Sequence, residues 1–137
     1  MMYQRTTKRG YPLGEVVSAL QKAIRRGDGR SAAYWAIEMT VSNFGAYCFR
    51  RMLIVSAEDV WDCATAEVLA LQEAWKQITK QSQGRDSGDL FAAKAAILLA
   101  WAKKSRDADH AVVLMYERKA VAPEVFEAEL EAVRGER

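Results

Sequence analysis

Apolar residues recur along this chain at spacings of three and four, and the polar or glycine-bearing stretches between them mark where each helix stops. Val16, Val17, Leu20, Ala23 and Ile24 predict a first helix over residues 15–26. Gly27-Asp28-Gly29 is then a tight joint, where glycine supplies positive φ and Asp28 can cap the next helix. A second helix over 30–42 carries Ala33, Ile37 and Val41 in one stripe, widened by Tyr34, Ala36 and Met39. Small residues at 32, 33 and 36 let a neighbouring helix come close. The third, over 46–57, presents Phe49, Leu53 and Ala57 with Met52 and Val55 alongside, a nearly fully buried pattern from which Arg50 and Arg51 emerge.

Thr65 is a candidate N-cap for a fourth helix over 66–81, striped by Val68, Leu71, Trp75 and Ile78. Residues 81–88 are the clearest loop. A fifth helix over 89–103 is apolar on nearly all sides (Leu90, Phe91, Ala95, Ile97, Leu98, Leu99, Trp101), which suits the centre of a core or half of a subunit contact. A sixth runs over 107–119, and Pro123 opens a last, thinly striped acidic helix. The expectation is an all-α bundle of about seven helices. A flexible basic arm occupies 1–14, the helical domain 15–121, and an amphipathic C-terminal helix packed on it 122–137.

Composition narrows the class. The 137 residues are half hydrophobic and 28% charged, enough for one packed core without disulfides or metal. Cys48 and Cys63 lack C-x-x-C spacing and read as reduced thiols in or near the core. The N-terminus has basic residues but no apolar run behind them, and no window nears the roughly 18 apolar residues of a membrane span. A cytoplasmic protein is expected. Net charge is only +2, yet residues 1–30 hold seven Lys or Arg against Glu15 and Asp28. Such a basic third attracts phosphate backbones, although Lys22, Arg25 and Arg26 also suit a helix C-terminus.

Catalytic patterns are missing. Neither a P-loop nor a G-x-G-x-x-G occurs, and a single histidine, His110, supports no Ser-His-Asp or Cys-His arrangement. The carboxylate pairs Glu58/Asp59 and Asp107/Asp109 are too close in sequence to share a helix face. Arg50 and Arg51 are expected to pair with Glu58 and Asp59 through chain folding. No enzyme activity and no cofactor are expected.

Three segments in order carry a resemblance: S-A-L-Q-K-A-I-R-R-G-D (18–28), A-A-Y-W-A-I-E-M (32–39) and F-R-R-M-L-I-V-S-A-E-D-V (49–60). Together with Lys103-Lys104-Ser105 they resemble the C-terminal region of the RarA/MgsA replication-associated recombination ATPases, AAA+ relatives of clamp loaders. The family's Asp-Pro before its arginine helix is replaced here by Asn43-Phe44-Gly45, and Arg106 stands where it has Asn. The resemblance implies an all-α collar that assembles as a homo-oligomer, a tetramer in that family. Tyr34, Trp35, Glu58 and Asp59 are its structural motif residues. DNA, a single-stranded-DNA-binding protein and a AAA+ ATPase are the partners it implies. The candidate DNA or partner contacts are Lys22, Arg25, Arg26, Arg50, Arg51, Lys103 and Lys104. The alternative is a module that docks on a full-length AAA+ ATPase and regulates it without touching DNA.

Overall fold

The computed structural model describes residues 5–61 and 64–117, and positions 124, 127, 128, 131 and 132 beyond them. Among residues 5–61 and 64–117 there are six helices: α1 (Leu13–Arg25), α2 (Gly29–Val41), α3 (Gly45–Glu58), α4 (Ala64–Gln81), α5 (Asp89–Trp101) and α6 (Asp107–Glu117). No strand occurs among the described residues, so the chain is all-α. The seventh helix expected within 122–137 falls almost wholly outside them, as does Cys63.

Local chemistry places the joints where the pattern put them. Asp28 accepts hydrogen bonds from Ser31 N (3.1 Å) and Ser31 Oγ (2.7 Å), capping α2, and those bonds hold its carboxyl below the usual range. Gly27 takes φ +73°, which lets the chain reverse between α1 and α2.

The most extensive helix pair is α2 against α5. Alanines make it possible: Ala32 and Ala36 on one side and Ala92, Ala95 and Ala96 on the other are all fully buried, so the two backbones approach closely. The stripe expected on α2, Ala33-Ile37-Val41, is only half-buried. The deeper face runs through Ala32, Ala36 and Met39, because α2 is covered by α5 and α1 together. α1 contributes Val16, Leu20 and Ile24, each worth about 1.5–3 kcal/mol of burial, and α3 contributes Phe49, Met52 and Val55.

α5 is core only in part, not along its whole length. Its middle is core, but Leu90 is 73% and Trp101 75% exposed. An all-apolar helix buries only the face its neighbours reach, and here α2 and α4 reach the alanines.

Within residues 1–14, the described part of the arm is fastened to α2. Thr7 is buried, Lys8 N donates to Ser42 Oγ (2.8 Å) and Arg9 N donates to the buried Glu38 (2.9 Å).

Candidate interaction site

Asp59 sits at the C-terminal cap of α3, where its amide donates to Val55 O at 2.9 Å. Its carboxylate is 1% exposed and takes three donors: Gln21 Nε2 (3.0 Å), Arg25 Nε (3.0 Å) and Arg106 Nη1 (3.1 Å). Its carbonyl accepts Ser105 N at 2.9 Å. One residue thereby ties α1, α3 and the entrance to α6 together. Gln21 also donates to Glu58 Oε2 (3.0 Å) and accepts from Arg51 Nη2 (3.1 Å).

Arg50 and Arg51 do not pair directly with Glu58 or Asp59. Seven to nine residues along one helix separate them by roughly 10–14 Å of axial rise, too far for direct contact. Arg51 reaches the acids through Gln21, and Arg50 lies over the Tyr47 ring at 5.6 Å. Asp59 is met instead by cations from α1 and from the segment before α6, and Glu58 by the Gln21 amide. Gln21 and Arg106 had no mark in the pattern. Arg106 stands out only as the position where the family has Asn.

Around Asp59 two guanidiniums face three carboxylates, because Arg106 also pairs with Asp109 (2.7 Å) and Glu58 lies beside Gln21. Arg25 is 44% and Arg106 35% exposed at the side chain. A hydrogen bond to Asp109, then Asp59 nearby, raises the Arg106 pKa against the opposing effect of burial. Lys104 donates to Ala100 O (2.6 Å) and Ala102 O (2.7 Å), closing α5; burial pulls its pKa down while Asp59 opposes that. Lys103 points to solvent and its carbonyl accepts Trp61 N at 2.9 Å. Lys22 and Arg26 line a polar depression of about 560 Å³ with Glu15, Asp28 and Trp35. The joint after α1 touches the end of α5, since a Cβ at Gly27 would come 3.3 Å from Ala100 O. Arg25, Arg26, Lys103 and Lys104 are thus brought to one end, while Arg50 and Arg51 lie along α3.

Tyr34 and Trp35 have a different task. The Trp35 indole is flanked edge-on by Tyr11 (5.0 Å) and Tyr34 (4.8 Å), whose hydroxyls lie 3.0 Å apart. Arg9 covers the Tyr34 ring at 5.4 Å. The shared hydroxyl hydrogen bond, then Arg9, holds Tyr34 below the usual phenol range, and the same bond raises Tyr11. The motif fastens the arm to α2.

Among the described residues no group of three or more His, Cys, Asp or Glu could hold a metal ion, and no helix is long and apolar enough to cross a membrane.

Residues 27–122 match the family described as MgsA AAA+ ATPase C terminal. The chain belongs to that family. It is 28% identical over 103 residues to Replication-associated recombination protein A of Coxiella burnetii, covering 74% of this chain and 23% of that protein. It is 33% identical over 114 residues to ATPase WRNIP1 of Dictyostelium discoideum, covering 80% of this chain and 13% of the other. The chain therefore spans less than a quarter of either relative, and its place is the C-terminal domain of replication-associated recombination AAA+ ATPases.

Proposed function

We propose that this domain is a non-catalytic assembly and interaction module of DNA replication, recombination or repair. It joins copies of itself and contacts DNA through the basic end around Asp59. The observation that carries the assembly half is the outer face of α6, where Val112 (56%), Met115 (53%) and Tyr116 (82%) are exposed. At i, i+3 and i+4 they form one apolar stripe, the kind of surface a subunit partner covers. The DNA half is supported by Lys22, Arg26 and Lys103, which are exposed near the Asp59 end and form no ion pair with a described residue.

Fluorescence anisotropy with labelled DNA across a salt series tests the DNA contact. Affinity falls with salt, and the combined charge reversal Lys22→Glu, Arg26→Glu and Lys103→Glu abolishes binding while leaving the fold intact. Flat, salt-independent signals at micromolar protein remove that half.

A second reading takes the same α6 stripe as a docking face for a full-length AAA+ relative, whose C-terminal family residues 27–122 match. Capture of a full-length relative by the wild-type chain, lost in Tyr116→Glu, would distinguish it from self-assembly.

A further inference from the structure

Two of the four tryptophans, Trp35 and Trp75, are packed against the core. The other two are open to solvent at the basic end: Trp101 is 75% and Trp61 51% exposed. Indole is the largest apolar side chain, and two left uncovered in one place mark a surface that is covered by something else.

The chain sets them beside a lysine. Val60 and Lys104 form an antiparallel bridge, and Trp61 N donates to Lys103 O at 2.9 Å. Trp101 precedes Lys103 by two residues, so the two tryptophan Cα atoms lie within roughly 12 Å of one another. The Trp101 ring is held over Gly29, where an added Cβ would sit 2.8 Å from its Nε1. One side of the indole faces a groove of about 470 Å³ that Lys94, Ile97 and Leu98 also line, with Glu67 its single acid. Lys94, Lys103, Arg26 and Arg30 are exposed, and none forms an ion pair with a described residue.

Exposed aromatic rings interleaved with unpaired cations match the chemistry of a single strand, whose bases offer free π-faces and whose phosphates lie behind them. A duplex stacks its bases internally and offers no such face. We infer that this end binds single-stranded nucleic acid, with bases stacked on Trp101 and Trp61 and phosphates held by Lys103 and the adjacent cations. This rests on the DNA contact proposed above and names the form of nucleic acid it takes.

The test uses the full chain with three labelled probes: an oligothymidylate of about 20 nucleotides, longer than the site of one stacking domain, the matching oligouridylate, and a duplex of the same length. Anisotropy is read at low and moderate salt, alongside intrinsic tryptophan emission. Oligothymidylate quenches the emission and binds more tightly than duplex. Trp101→Ala weakens the strand at least about fivefold and the duplex far less. Trp101→Phe, which keeps a ring over Gly29, retains most of the affinity and shows by its thermal melt that the fold survives. Lys103→Ala lowers the salt slope on the strand by about 0.7. Equal binding of oligouridylate assigns the surface to either kind of strand and weaker binding assigns it to DNA; both support the inference.

Equal weakening of strand and duplex by Trp101→Ala, or no weakening of either, overturns the stacking while leaving a DNA contact standing. Failure of all three probes to bind wild-type protein removes the DNA contact itself. A Trp101→Ala protein that loses its assembly but keeps its strand affinity makes Trp101 a subunit contact and overturns the inference.

Discussion

Arg25 and Asp59 are 34 residues apart in the chain, and Arg25 Nε lies 3.0 Å from Asp59 Oδ2. The pair closes the end of α1 onto the end of α3, and Arg106 completes it from the other side. The carboxylate is buried while both guanidiniums reach solvent. Asp59 thus holds together the ends of α1 and α3, while Arg106 turns its second terminal nitrogen to Asp109 at 2.7 Å.

Removing that carboxylate strands its three donors. Asp59→Ala is expected to lower the unfolding free energy by about 2–3 kcal/mol, since hydrogen bonds to a charged group carry about 1.5–3 kcal/mol. Arg25→Ala, at a half-exposed position, costs about 1 kcal/mol or less. Urea unfolding followed by circular dichroism checks both. An Asp59→Ala midpoint equal to wild type would show that the hub is incidental to stability.

Trp75 is hemmed in from three sides. Its indole N–H donates to Ser87 O (2.9 Å), its ring packs on Phe49 (5.3 Å), and a Cβ at Gly88 would collide with it. Gly84 and Gly88 both have positive φ, but only Gly88 faces a neighbour. Gly84→Ala costs about 1 kcal/mol for the left-handed backbone alone. Gly88→Ala costs about 2–3 kcal/mol, a further drop of several degrees in melting temperature. Equal melting temperatures for the two variants would contradict the placement of Trp75.

Cys48 makes stability fall in alkali. Burial pushes its thiol up to about 12, against about 8.5 for a free thiol. A raised thiol keeps its proton in the folded state where the unfolded chain has lost it. The unfolded state is therefore increasingly favoured as pH climbs from about 9 toward 12. Cys48→Ala removes that part of the slope in urea unfolding between pH 8 and pH 10; an unchanged slope would show that Cys48 is not protected. In a Cys63→Ser background, a thiol reagent should label Cys48 only as fast as the protein opens.

Glu38 holds the arm. It is 2% exposed and accepts Arg9 N–H at 2.9 Å. Glu38→Ala should cost about 1 kcal/mol and speed amide hydrogen exchange at Arg9 and Tyr11 without affecting α5. Protection at those amides unchanged from wild type would mean that the arm is held without Glu38.

Helical spacing located the six described helices to within about two residues at their starts, because caps and joints such as Asp28 and Gly88 act locally. Which face each helix buries was less legible. α2 and α5 are chosen for each other by buried alanines, and the small residues at 32 and 36 did point to a close approach, but the louder Ile37 and Val41 centred the stripe on a half-buried face. Trp101 read as core or as subunit contact, and periodicity could not choose between them: it shows that a side is apolar, not what covers it. Glu58 and Asp59 were visible as a pair, but their partners Gln21, Arg25 and Arg106 come from other helices. Such long-range polar pairing leaves no periodic trace.

The mass of the particle in solution tests most directly whether the domain is an assembly platform. Light scattering over a range of concentrations should give a multiple of the 15.4 kDa chain, with four copies the expected number. Val112→Glu with Tyr116→Glu on α6 should reduce it to one chain without loss of helix. A wild-type particle that stays at one chain throughout would contradict assembly.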